Sequence, residues 1–335
     1  MDPFRQVSLG KSNLVVTPLG LGGGPLAGLF TEVPESQAIA MVRRALELGV
    51  RLFDTAPLYG LGVSESRLGK AFRGAPRDSY VLATKVGRIL KPEDPEKLAT
   101  RYVEFFDPPP LRAVFDFSYD GVMRSHQESL RRLQADRVDI LHIHDPDDHW
   151  HEAIWGAYRA LLKLREQGAI GAISAGMNQP EMLARFAREG DFDCFLLASR
   201  YTLLDQSALP ELLPLCLQKR IGMIIGAPFN SGILATGAQP GAKFHYQAAP
   251  PHVLERVRLI ENVCRAHGVP LKAAALQFPL AHPAVVSVIP GSRSVSELEE
   301  NAAMIRFPIP AAFWRDLQAQ NLLPQEAPVP KGSVE

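Results

Sequence analysis

The sequence predicts an α/β protein folded as one closed (β/α)8 barrel of the TIM type, and three observations predict it. Eight short apolar runs recur along the chain, and helical spacing follows most of them. The runs are apolar nearly throughout rather than alternating, which marks parallel strands covered on their outer face. No linker rich in Ser, Gly or charge divides the 335 residues, so residues 1–335 read as a single domain. A doubly wound open sheet is the alternative arrangement of the same units.

The elements follow in order. Residues 1–15, "MDPFRQVSLGKSNLV", predict an N-terminal hairpin that plugs the bottom of the barrel. The first barrel strand is expected over 16–23 and the first helix over 36–49, with an apolar stripe that stops at Gly49. Strands are then expected over 51–56, 80–87, 138–145, 169–176, 194–201, 221–228 and 285–291. A second well-marked helix covers 151–168 and also ends on glycine. Two long connections interrupt the rhythm: 88–117, with "DPPP" and Phe105, Phe106, Phe115 and Phe117, and 230–250, rich in Gly, Ala and Pro. Loops of that length after barrel strands belong to the active face, or else cover packed aromatics.

Composition narrows the function. The chain is 46% hydrophobic, enough for a large core, and its 36 Lys and Arg balance 36 Asp and Glu. No basic excess points to nucleic acid or to a membrane surface, so the expected partner is a small molecule. No interface pattern defines an oligomeric state. The N-terminus shows no secretion signal, and Cys194, Cys216 and Cys264 are sparse, odd in number and set in apolar surroundings. That usage fits buried thiols in the reducing cytoplasm.

Ionisable groups stand where strand burial would not select them. Asp54 and Tyr59 close the second strand, Lys85 lies in "LATKVG" and His144 in "LHIHDP". A lysine on an apolar strand needs a counter-charge, and Asp54 on the neighbouring strand is the candidate. An ammonium beside a phenol favours phenolate, so Tyr59 is expected to titrate below its ordinary value near 10. His144 then orients a carbonyl or hydroxyl, and the four form a proton-transfer site centred on Tyr59.

Taken together these stretches resemble the aldo-keto reductase superfamily over essentially the whole chain. "FDTAPLYGLGVSESRLGKAF" resembles the family's Asp–Tyr signature, "LATKVG" its Lys strand, "DILHIHDPD" its His strand and "IPGSRSVSELEENAA" its adenosine-binding segment. The resemblance implies a barrel that binds an extended nicotinamide dinucleotide and transfers hydride. It implies Tyr59 as general acid/base, Asp54 and Lys85 as its tuning pair and His144 as the substrate-orienting residue. Its cofactor contacts fall on Asn178, on Pro228, Phe229, Asn230, Ser231 and Gly232 over the pyrophosphate, and on Gly291, Ser292, Arg293, Glu297, Glu300 and Asn301 at the adenosine.

"GLGGGPLAGLF", "IHDPDD" and "SRYTLLDQ" look most like the branch that oxidises free sugars at the anomeric carbon, the D-threo-aldose (L-fucose) dehydrogenases. Pyridoxal 4-dehydrogenase is a close neighbour, and general NADPH carbonyl reduction is the broader alternative. A cyclic sugar or a pyridoxal hemiacetal carries a hydroxyl on the carbon that loses hydride, so either would leave a lactone.

The chain departs from the family pattern in places. Gly176 and Met177 stand where a Ser–Asn pair commonly holds the nicotinamide, Gly226 where an aromatic stacks on it, and Ala198 near a usual Gln. Asn178, with Arg200 or Tyr201, is expected to take over. Gly291 and Glu297 replace the basic residues that meet a 2′-phosphate, which favours NAD over NADP, although Arg293 keeps NADP possible. "SVSE" (294–297) also reads as a capping box.

Two motifs tempt and fail. "GLGGGP" (20–25) puts Pro25 at the third glycine of a dinucleotide fingerprint, with no acid about 20 residues on. Its glycines are expected to let cofactor or substrate approach the backbone. "HIHDPDDHWH" (142–151) resembles the start of a metal-dependent hydrolase site, with His142 and His144 on one side of a strand. Strands five and six offer no further His and strand eight no Asp, so no metal is expected, and His142 reads as a lower-layer barrel residue. Trp150 lines the substrate pocket or starts a helix. A scaffold protein on the same barrel would have lost one of the four proton-handling residues, and all four are present.

Overall fold

A computed structural model describes residues 1–97, 102 and 104–332. The N-terminal hairpin pairs β1 (Val7–Ser8) with β2 (Val15–Val16). Eight parallel strands follow: β3 (Leu21–Gly22), β4 (Leu52–Asp54), β5 (Val81–Val86), then, after a two-stranded insertion, β8 (Ile140–His144), β9 (Ala172–Met177), β10 (Cys194–Ala198), β11 (Gly222–Gly226) and β14 (Val285–Ile289). Their order in the sheet is β14-β11-β10-β9-β8-β5-β4-β3. Bridges Leu19↔Val288 and Gly22↔Gly291 join the last strand to the first and close the barrel.

Side chains alternate along each strand, so every second residue points into the barrel. Leu52, Val81, Ala83, Ile140, Ala172, Cys194, Leu196, Ile224 and Ile289 pack inside, and Leu9 and Val16 of the hairpin join them. The hairpin therefore plugs the bottom. A Cβ on Gly10, whose φ is +57°, would lie 2.2 Å from the Asp193 carbonyl oxygen, so only glycine lets that turn seat against the strands. The outward phase, Phe53, Leu82, Leu141, Ile143, Ile173, Phe195 and Ile225, packs under the helices.

The first helix, Glu35–Leu48, runs to Gly49 with φ +93°. The expected helix over 151–168 is split. It starts as Trp150–Glu152, passes through a π-helical turn, Ala153–Ala157, and continues as Tyr158–Glu166. No helix among the described residues is long and apolar enough to cross a membrane.

Both long connections contain hairpins. The first pairs β6 (Arg88–Pro92) with β7 (Leu111–Phe115), and residues 98–101 and 103 of this connection lie outside the described residues. The second pairs β12 (Lys243–Phe244) with β13 (Gln247–Ala248) through His245 and Tyr246. Both turn residues have positive φ, +49° and +66°, as the tightest hairpin turns require, without the glycine that would make it easy.

Candidate active site

Register explains why the ionisable groups meet. Asp54 pairs with Ala83, two residues below Lys85, and Lys85 pairs with His142, which pairs with Ser174. All four point inward in one phase at the C-terminal end of the barrel. Lys85 Nζ donates to both carboxylate oxygens of Asp54, at 2.7 and 2.6 Å, and to the Thr55 carbonyl at 2.9 Å. Lys85 and Asp54 are only 1–3% exposed at their side chains. Burial pushes the Asp54 carboxyl up, but the Lys85 ammonium and the His142 ring outweigh it, and the group lies below the ordinary carboxylate range.

Tyr59 stands above this pair. Lys85 Nζ lies over its ring, 4.9 Å from the centroid, and the His144 ring meets it edge-on at 6.2 Å. The structure thus brings Asp54, Tyr59, Lys85 and His144 together. It reverses one expectation, the acidified phenol. Burial first, then the Asp54 charge, push Tyr59 well above the ordinary phenol value, and Arg88 pulls only weakly the other way. An ammonium has three N–H donors, and those of Lys85 are taken by Asp54 and Thr55. Its charge neutralises the carboxylate rather than the phenol. Tyr59 is half-buried, and at neutral pH it carries its proton.

His144 is 6% exposed, its Nδ1 has no partner, and its Nε2 lies 3.4 Å from Asp145 Oδ2. Burial, with the nearby Arg88 and Lys85 charges, holds its imidazole well below the usual range, so it is neutral at pH 7. His142 is fully buried directly beneath. Its Nδ1 is 2.7 Å from Ser174 Oγ and its Nε2 3.3 Å from Asp54 Oδ1, a contact short of good hydrogen-bond geometry. Among the described residues no three His, Cys, Asp or Glu side chains come together as a metal-binding group. The three cysteines are buried and far from thiolate character; burial raises Cys216 and Cys264 to about 12.

The cofactor candidates lie on loops that adjoin because β11 pairs with β14, Gly226 opposite Ile289. After β11 the chain turns through Asn230, Ser231 and Gly232, all at positive φ, into the short helix Ile233–Thr236. Asn230 is fully buried; its Nδ2 donates to the Ser199 carbonyl at 3.2 Å, and its Oδ1 has no partner. After β14, Asn301 donates to Ser292 Oγ at 3.1 Å, and both are buried. Gly291 is exposed, with the Pro25 ring where a Cβ would stand. An unpartnered buried acceptor in a turn of successive left-handed residues fits a polar ligand that brings a donor.

Other candidates are engaged elsewhere. Glu297 accepts from the Arg293 amide at 2.8 Å and from its guanidinium at 2.7 Å, while Ser294 caps the helix Val295–Arg306 by accepting from the Glu297 amide. Glu300 pairs with Lys272 at 2.6 Å on the surface. Asn178 offers its carbonyl to Arg200 Nε at 3.1 Å, and Arg200 reaches on to His245. Tyr201 has no exposed surface and packs on Phe278 and His282, so it takes no part in the open site. Trp150 does not join the Tyr59 cluster. It is 8% exposed, its ring lies 4.6 Å from that of Phe186, and the Arg185 guanidinium covers it. The glycines of "GLGGGP" admit the chain itself, since a Cβ on Gly23 would lie 2.6 Å from the Asp54 carbonyl.

Sequence reasoning missed Arg88, Asp145 and Tyr246. Arg88 Nη2 donates to Asp145 Oδ2 at 2.9 Å, and both residues, with Tyr246, lie close enough to shift the Tyr59 phenol. The signals were an arginine three residues past the strand lysine and an acid directly after the strand histidine.

The family model described as Aldo/keto reductase family matches residues 18–321. The chain is 39% identical over 318 residues to a D-threo-aldose 1-dehydrogenase of a Pseudomonas species, covering 93% of this chain and 96% of that protein. It is 37% identical to the pyridoxal 4-dehydrogenase of Microbacterium luteolum, covering 94% and 97%. Among solved structures, the aldo-keto reductase AKR11C1 of Bacillus halodurans, holo form, superposes with a TM-score of 0.76 at 24% identity, covering 98% of each chain, a likeness of fold.

Proposed function

The chain belongs to the aldo/keto reductase family and is a pyridine-nucleotide-dependent oxidoreductase, and on that premise we propose that it oxidises a free aldose of the L-fucose or D-threo type at the anomeric carbon, passing hydride to NAD⁺ and forming a lactone. The observation that carries the reading is the Tyr59 phenol held between the neutral His144 ring and the buried Lys85–Asp54 pair at the barrel mouth.

The cofactor supplies the hydride acceptor. Ser231 and Gly232 fit its pyrophosphate, the Asn230 Oδ1 acceptor fits a hydroxyl or amide donor of the same ligand, and Gly291, Ser292 and Asn301 fit its adenosine end. Tyr59 handles the proton of the anomeric hydroxyl. Because the phenol is protonated at neutral pH, it gives a proton readily in reduction and accepts one in oxidation only as its own leaves, so oxidation gains with rising pH. His144, neutral and with a free ring nitrogen, holds the reacting oxygen in line. Lys85 and Asp54 fix the electrostatic floor beneath Tyr59. The protein works in the cytoplasm on a small hydroxylated molecule.

The test is a panel of NAD⁺ and NADP⁺ crossed with L-fucose, D-arabinose, L-galactose and pyridoxal, following cofactor reduction. The expected result is turnover of at least one aldose with NAD⁺ favoured. Oxidation of pyridoxal alone moves the substrate to that second reading, supported by the 37% identical relative. No cofactor reduction with any of them ends the proposal.

A further inference from the structure

The mouth of the barrel carries a charged pair that the proton chemistry does not use. Arg88 opens β6 immediately after strand β5, and Asp145 follows His144 at the end of β8 with φ +44°. Arg88 Nη2 bonds Asp145 Oδ2 at 2.9 Å, and His144 Nε2 approaches the same oxygen. Both contacts fall on Oδ2, which leaves Oδ1 open as an acceptor.

A purely structural pair tying hairpin to barrel would be satisfied. This one is not. Arg88 Nε is buried without a partner, as are His144 Nδ1 and, two residues beyond Asp145, Asp147 Oδ1. Unpartnered buried donors and acceptors are rare in a settled core and cost free energy, so three around one strand end point to a ligand that completes them. The hairpin needs no ion pair to stay attached, since Ser125 Oγ already donates to the Arg88 carbonyl at 3.1 Å. Beside the pair, the Phe115 ring is 45% exposed, covered on one face by the Arg88 guanidinium at 4.4 Å and packed against Phe117 at 5.6 Å.

We propose that Arg88 and Asp145 read adjacent hydroxyl groups on the substrate, next to its reacting carbon, with Phe115 as an apolar platform. A planar fork of N–H donors and a carboxylate together offer matched partners to a vicinal diol, each of whose hydroxyls both donates and accepts. A substrate without those hydroxyls would bury the pair unsatisfied, so the site discriminates by penalty as well as by attraction. The inference rests on the oxidoreductase reading and narrows its substrate class to polyhydroxylated molecules.

The experiment measures kcat/KM for reduction of glyceraldehyde and of propanal, which differ by two hydroxyls, in wild type, Arg88→Ala, Arg88→Lys and Asp145→Asn. The glyceraldehyde-to-propanal ratio is expected to fall about tenfold or more in Arg88→Ala, the loss of one charge-assisted hydrogen bond, and by at least about fivefold in Asp145→Asn. Asn tolerates the left-handed backbone at position 145, so that variant keeps the test alive if the arginine variants do not fold. A ratio that changes by less than about fivefold in every folded variant, including through equal losses on both substrates, overturns the proposal. If wild type oxidises no aldose but the ratio still collapses, the aldose reading fails and the hydroxyl-reading pair stands.

Discussion

The two ends of the candidate site are built differently. At the inner end, Asp54, Lys85, His142 and His144 stand on strands and are 0–6% exposed; barrel register places them, Asp54 meets both Lys85 and His142, and His144 meets Tyr59 and Asp145. At the adenosine rim, Arg293, Glu297 and Glu300 stand on a helix start, are partly or fully exposed, and satisfy one another or Lys272. Buried charges must be paired or they are costly, so the inner end tolerates little change. Exposed pairs contribute little and exchange partners freely, so the rim can change its cofactor preference without disturbing the barrel.

The largest effect expected at the inner end is on turnover. Tyr59→Phe removes one hydroxyl from a half-buried ring and leaves the Lys85–Asp54 pair intact. Oxidation kcat is expected to fall by about 10²- to 10⁴-fold, with the melting temperature unchanged and NAD⁺ binding by fluorescence retained. Because the phenol's ordinary value of 10 is raised further here, wild-type kcat/KM should climb through pH 9 without a plateau, and the variant should lose that slope. Turnover within tenfold of wild type would move the proton chemistry off Tyr59.

The next effect is on stability. Asp54→Leu leaves Lys85 buried without its counter-ion, and Lys85→Met does the same to Asp54, so each is expected to cost about 3–5 kcal/mol in urea unfolding. The double variant Asp54→Leu/Lys85→Met should be more stable than either single one, since it leaves no orphaned charge. Single variants that cost under about 1 kcal/mol each would show that the inner end is no more constrained than the rim.

This contrast also explains what could be read from the sequence. Seven of the eight barrel strands lie where their apolar runs predict, trimmed by a few residues, and Asp54, Lys85 and His144 follow from charge on an apolar strand. Of the expected first strand, 16–23, only Leu21–Gly22 forms β3, and Val16 belongs instead to the second strand of the N-terminal hairpin. Misreadings gather past the strand ends. Trp150 takes the second of its two expected places, a helix start, where Phe186 and Arg185 cover it, while Tyr201, expected near the nicotinamide, is taken by the Phe278–His282 cluster. Arg88 and Asp145 are 57 residues apart, and their meeting depends on where a hairpin folds back, which no local pattern encodes. The phenol's shift runs opposite to the sequence expectation because sequence shows which charges are near but not which donors are already committed.

The smallest effect is expected at the rim, and it tests the cofactor preference. From the sequence, Glu297 favours NAD because it stands where a basic residue would meet a 2′-phosphate. The structure gives its carboxylate another occupation, a two-pronged pair with Arg293 plus the Arg293 amide, and those contacts hold the carboxyl below the ordinary carboxylate range despite partial burial. The proposed preference for NAD⁺ then predicts that Glu297 acts by occupying the Arg293 cation that a 2′-phosphate would use. Glu297→Gln should therefore free Arg293 and raise NADP⁺ affinity relative to NAD⁺ by about two- to fivefold at low salt, the scale of one exposed ion pair. The gain should shrink at 0.5 M salt, where screening shortens the reach of both charges, and vanish in Glu297→Gln/Arg293→Ala. Binding constants from cofactor fluorescence decide between the two roles. A gain that survives removal of Arg293 would mean that Glu297 acts by direct repulsion, and the rim would then resemble the inner end, with each charge facing the ligand itself.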